Sequence, residues 1–135
     1  MAVELSIAIK EGQELAAKYT EGSVRRSVEK PFKDLVLGIE RDVKKAAVID
    51  TGRFRASIAS KFLGEMSAVV GTNVQYAPFL EIGSVHGQTF VPPRHMEGAT
   101  KELGIGAFAF VLENSKELLK DFETKSVSNL EKELT

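Results

Sequence analysis

Apolar and polar residues alternate along "VELSIAIK" (Val3–Lys10): Val3, Leu5, Ile7 and Ile9 interleave with Glu4, Ser6 and Lys10. A period of two predicts a half-buried strand. From Ser23 the period changes. Val24, Val28, Phe32, Leu35, Ile39, Val43 and Ala46 recur at steps of three and four, which places them on one face of a helix. Ser23 suits the N-cap of that helix. Pro31 lacks an N–H and tends to kink or break a helix, so the better-formed part is expected over Pro31–Ala47. A short helix over Glu11–Thr20, ended near Gly22, precedes it.

The middle of the chain has another texture. "FRASIASKF" and "SAVVGTNV" are rich in small and β-branched residues, and "LGEM" between them supplies a turn glycine, which predicts a hairpin. "YAPFLEIGS" reads as a short turn or helix and "VHGQTFVPPR" as an exposed loop, with Pro93 suited to the first turn of the next helix. Beyond Gly104 and Gly106, a stripe of Phe108, Val111, Leu112, Ser115, Leu118, Leu119 and Phe122 predicts a long C-terminal helix. It continues weakly through Val127, Leu130 and Leu134, and residues 126–135 are expected to fray. These elements make one α+β domain over residues 1–135. In it a small antiparallel sheet with a central hairpin is packed by a helix from the N-terminal half and by the C-terminal helix.

Length and composition fit that picture, because 135 residues with 43% hydrophobic and 27% charged residues describe one globular domain. The formal charge of -1 argues against a broad basic surface, although a local patch remains compatible with it. No apolar run reaches the ~20 residues that a membrane-spanning helix needs, and no secretory signal pattern is visible. With no cysteine present, disulfides, thiolate nucleophiles and cysteine metal sites are excluded.

Candidate chemistry is sparse. His86 and His95 flank a Pro-Pro pair, but Glu81 and Glu97 complete no recognised zinc spacing, so both read as loop or cap histidines and no metal or other cofactor is expected. No G-x-S-x-G elbow occurs. Asp50, Glu65 and Glu81 are too scattered to suggest an acid–base pair. Gly71, Gly83 and Gly87 form no phosphate loop. No catalytic residue is predicted, and the chain is not expected to be an enzyme. If residues 53–62 form a strand, Arg53, Arg55 and Lys61 share one face while Phe54, Ala56, Ile58, Ser60 and Phe62 turn toward the helices. That face is either an ordinary solvated one, the simpler reading, or an anion- or partner-binding one. Asp50-Thr51-Gly52 reads as the helix-to-strand junction, with Gly52 free to take a positive φ; Gly71 and Gly83 read as further turn positions. Several apolar helix faces over so little sheet favour burial against copies of the same chain.

Three blocks carry a resemblance. "IDTGRFRASI", "VGTNVQYAPFLEIGS" and "PPRHM" before a long helix resemble the tail-completion and head–tail joining family of tailed bacteriophages, small tail components of lambda-like long-tailed phages and prophages. The family pattern is a charged helix ending in D-T-G-x-[LF]-x-x-S-I, a hairpin, G-[TS]-x-x-x-Y-A-x-x-x-E-x-G-[TS], a proline-rich loop with P-x-R, and a C-terminal helix. Asp50, Thr51, Gly52, Arg53, Phe54, Ser57 and Ile58 match the first block. Gly71, Tyr76, Ala77, Glu81, Gly83 and Ser84 match the second, and Pro92, Pro93 and Arg94 the third. After Arg94 the sequence departs: His95, Met96 and Gly98 stand where the family has further prolines and a Phe. The resemblance implies a non-enzymatic virion protein assembled as a ring, a hexamer, between head connector and tail tube. Such a protein would sit at the head–tail interface, pass through the host cytoplasm during assembly and let DNA through its channel without specific binding. On that reading Arg53, Arg55, Glu81, Ser84, His86, Gln88, Phe90 and Arg94 are the candidate protein contacts. The alternative is a nucleic-acid-binding module using the Arg53/Arg55/Lys61 face; 2 Tyr and no Trp give it little material for base stacking.

Overall fold

A computed structural model describes residues 2–4, 21–48, 52–64 and 66–134. The chain runs β1 (Ala2–Glu4), α1 (Glu21–Ala46), α2 (Arg53–Ser57), β2 (Ala59–Gly64), β3 (Ser67–Gly71), α3 (Ala77–Glu81), β4 (Ser84–His86), β5 (Thr89–Val91), β6 (Arg94–Glu97), β7 (Thr100–Leu103), α4 (Ala107–Glu113) and α5 (Lys116–Leu134). The class is α+β, as the periodicities predict. Of the predicted N-terminal strand, Ala2–Glu4 pairs in the sheet; its remainder, the helix over Glu11–Thr20, Asp50, Thr51 and Glu65 lie outside the described residues.

The main sheet has the order β1-β3-β2, antiparallel throughout. β3 is its centre, with Val70 facing Val3 on one side and Ser60 on the other. Ala68 and Val70, two residues apart on β3, are both fully buried, as alternation in a one-sided sheet requires. α1 packs over this sheet and against α5 and α4. The predicted α1 face is the core: Val28, Phe32, Leu35, Ile39, Val43 and Ala46 are all buried, joined by Ile58 and Phe108. Gly38 marks where α1 and α5 meet most closely; a Cβ there would stand 2.9 Å from Leu118 Cδ2.

Pro31 neither breaks nor starts the helix. α1 is continuous from Glu21 to Ala46, and Ser23 lies inside it rather than at its cap. Proline at 31 cannot donate to the Ser27 carbonyl four residues earlier. That oxygen instead accepts from Asn129 Nδ2 of α5 at 3.1 Å. A neighbouring helix thus supplies the missing donor.

The C-terminal helix differs too. It is two helices, divided at Asn114–Ser115, where Asn114 Nδ2 donates to the Phe110 carbonyl at 2.8 Å and Ser115 Oγ to the Leu112 carbonyl at 2.9 Å. Local side-chain bonds of this kind compete with the helical ladder. Leu112 and Leu119, both in the predicted stripe, are consequently exposed. α5 runs to Leu134, with Ser126 and Leu130 buried.

The segment read as a loop before the last helix is two β-hairpins. β4 and β5 pair across Gly87-Gln88, and β6 and β7 across Gly98-Ala99. Gly87 and Gly98 have φ of 65° and 63°, the left-handed backbone that tight two-residue turns demand. Pro93 precedes β6 rather than opening a helix; its carbonyl accepts from Gly104 N at 2.8 Å and closes the base of that hairpin.

Candidate functional site

The predicted strand face carrying Arg53, Arg55 and Lys61 does not form. Residues 53–57 are a helical turn, and the strand begins only at Ala59. A spacing of four is compatible with both geometries, so Phe54 and Ile58 still point inward, at 3% and 1% exposure. Ala56, expected inside, is exposed. Gly52 takes φ 77° and its carbonyl accepts from Ala56 N at 2.9 Å, which starts the turn. The two arginines therefore diverge in role. Arg55 reaches back to the end of α1, where Nη2 donates to the carbonyls of Lys45 at 3.2 Å and Ala47 at 3.1 Å. A guanidinium on terminal carbonyls completes a helix end and complements its dipole. Arg55→Met, which keeps the stem but not the donors, is expected to cost about 1 kcal/mol in urea unfolding; an unchanged midpoint would contradict this capping role.

Arg53 instead enters an open groove of about 610 Å³. α3 contributes Phe79 and Leu80, β4 contributes Ser84, Val85 and His86, and β6 contributes Arg94; Tyr76 completes the lining. Tyr76 is held edge-on to buried Phe54, ring centroids 6.5 Å apart. Arg94 Nη1 donates to the Pro92 carbonyl at 3.2 Å. Ser84 and His86 share one face of β4, with Oγ 3.1 Å from Nε2. Among the described residues no carboxylate bonds His86, and none lines the groove.

Around this groove the surface is unusually apolar. Phe79, Ile82, Val85 and Phe90 are 54%, 70%, 68% and 58% exposed. Gly83 makes the arrangement possible. Its φ is 100°, and a Cβ there would lie 2.7 Å from the Val91 carbonyl oxygen and 2.8 Å from Phe90 Cζ, so the hairpin folds back directly over it. Gln88 sits exposed in the turn. Gly71, by contrast, is no turn: it ends β3, paired with Ala2 and Ala59.

Of the predicted contact residues, Arg53, Ser84, His86 and Arg94 come together, and Gln88 and Phe90 lie on the same hairpin. Glu81 does not join them. Its two carboxylate oxygens accept from the backbone N–H groups of Phe108 at 3.2 Å and Ala109 at 2.8 Å, capping α4. His95 is likewise no loop residue. It lies on β6, 2% exposed, stacked on Phe110 at 4.1 Å with Nδ1 donating to the Ile105 carbonyl at 2.8 Å. The sequence does not single out the exposed Phe79, Ile82 and Val85; the clue is that "PFLEIGSV" holds four large apolar residues, more than a short turn can cover.

Among the described residues no group of three His, Asp or Glu side chains is placed to hold a metal ion. No helix among them is long and apolar enough to cross a membrane. Compared with known proteins, the chain matches no family model, no curated protein and no solved structure.

Proposed function

We propose that this chain is a non-enzymatic structural subunit of a tailed-phage virion. It would act in tail completion or head–tail joining and assemble as a ring, a hexamer on the family resemblance, between head connector and tail tube. The observation that supports a protein-contact role is the Arg53/Arg94 groove bordered by exposed Phe79, Ile82, Val85 and Phe90. Aromatic residues and arginine are the types enriched in the buried centres of protein interfaces. A patch of four large apolar side chains has an unfavourable exposure that a neighbouring subunit removes. The groove lies on α2, α3, β4 and β6, while other exposed apolar residues, Leu112 and Leu119, lie on α4 and α5. Contacts between unlike surfaces of identical subunits close into a ring when the rotation permits.

Sedimentation velocity and electron microscopy of the purified protein test this. Wild type is expected to form a closed ring or to bind connector and tail-tube proteins, and Val85→Glu with Phe90→Glu is expected to abolish both while keeping the helical circular dichroism. A wild-type protein that stays monomeric at high concentration and binds neither partner would overturn the proposal.

A further inference from the structure

α1 carries its cations outward. Arg26, Lys30, Lys33, Arg41 and Lys44 follow one another at steps of four, three, eight and three, and exposed Leu37 fills the long step. Those steps keep all five on one helix face. Seven of the eleven charged residues from Arg25 to Lys45 are basic, in a chain whose formal charge is -1. Eighteen helical rises from Arg26 to Lys44 make the line ~27 Å long. Like charges at such spacing weaken a helix, and here Glu29 and Asp42 offset Lys33 and Arg41.

α5 adds to the same side. The groove between the two helices, about 420 Å³, is bordered by Lys30 and Asp34 from α1 and by Thr124, Lys125, Ser128 and Lys132 from α5. In this groove three lysines and two hydroxyls face one carboxylate, and the adjoining α1–α5 groove sets Asp34 and Asp121 beside Arg41 and Lys125. Lys125 pairs with Asp34 at 3.8 Å, Lys33 with Glu29 at 3.9 Å and Arg41 with Asp42 at 3.1 Å. All are solvent-exposed pairs, and such pairs exchange partners readily.

We propose that this α1–α5 face binds the sugar–phosphate backbone of duplex DNA without reading its sequence. Lysine, arginine and hydroxyl side chains are what protein surfaces use on phosphates. No aromatic ring borders the groove, so stacking on unpaired bases, the usual device for single strands, has no platform here. A face of this length spans roughly eight base pairs of duplex. The inference rests on charge and geometry alone and does not depend on the assembly role proposed above.

Fluorescence anisotropy of the whole chain with labelled duplexes of about 20 base pairs tests it between about 50 and 200 mM salt. Two unrelated sequences are expected to bind equally, with a log–log salt slope on the order of −4 to −5. Lys30→Gln with Lys125→Gln should weaken binding about tenfold or more and flatten the slope by about two. Asp34→Asn, which removes the groove's carboxylate and releases Lys125, should tighten binding and steepen the slope by about one. Lys101→Gln, exposed on β7 and outside both grooves, should change nothing. Thermal melts by circular dichroism confirm that each variant is folded. The proposal fails if duplex does not bind at the lowest salt, if the lysine variant binds undiminished, or if Lys101→Gln weakens binding as much. Tighter binding of poly-glutamate than of duplex would assign the face to an acidic protein and overturn it equally.

Discussion

Replacing Gly106 with alanine is expected to lower unfolding free energy by about 3 kcal/mol or more, although it adds only one methyl group. Backbone strain is not the cause, since Gly106 has φ -83°. The cause is what already occupies the space. A Cβ at 106 would collide with Glu81 Oε2 and lie 2.6 Å from the Glu81 Cα. The side chain could swing away, but the backbone contact could be relieved only by separating α3 from α4. Swinging away would also uncap α4, whose Phe108 and Ala109 N–H groups depend on that carboxylate. Loss of a helix cap costs about 1 kcal/mol, and overpacking of a fixed junction a further 1–3.

The mechanism has a signature. Glu81→Ala alone should cost about 1–2 kcal/mol. In the Gly106→Ala background it should cost far less, because the methyl group has already displaced the carboxylate. Urea titration of the two single variants and the double gives the coupling directly. Additive losses would mean that the cap and the close approach are independent, contrary to this account.

A second cycle concerns the proline inside α1. Asn129→Leu should destabilise by about 2 kcal/mol, because the Ser27 carbonyl loses its donor where Ser27 is 1% exposed. Pro31→Ala restores an N–H at the position that normally serves this carbonyl and should stabilise by up to about 3 kcal/mol. Combined, Asn129→Leu should become nearly neutral. If its cost were the same in both backgrounds, Asn129 would act through packing rather than through the bond.

Much of this fold is legible from periodicity. The face of α1 could be read residue by residue because 26 residues give seven turns of evidence. The β2–β3 hairpin declared itself through β-branched runs around a glycine. Residues 53–57 misled because Phe54 and Ile58 are four apart, which suits a strand and a helix alike; only the positive φ of Gly52 distinguishes them. The two later hairpins were hidden because strands of three or four residues are too short to display alternation, and Pro92-Pro93 drew the reading toward a loop. Their turns were nonetheless signalled by Gly87 and Gly98.

The candidate site was half legible. Arg53, Ser84, His86 and Arg94 were named from the sequence and share a groove. Arg55 and Glu81 have other tasks, and nothing local could reveal them. Glu81 caps a helix 27 and 28 residues downstream, and Arg55 closes one that ends 9 residues upstream. A carboxylate acting on a remote backbone leaves no periodic trace. A sequence therefore displays which side chains are polar more readily than it displays which of them are already engaged.

The bond from Asn129 to Ser27 spans 102 residues. On a ribosome, the carbonyl that Pro31 leaves without its helical donor emerges long before the amide that will serve it. Until Asn129 has been made, that carbonyl lacks the partner it has in the folded chain. Truncation before α5 is therefore expected to leave α1 with an unserved carbonyl and a core more open to proteases.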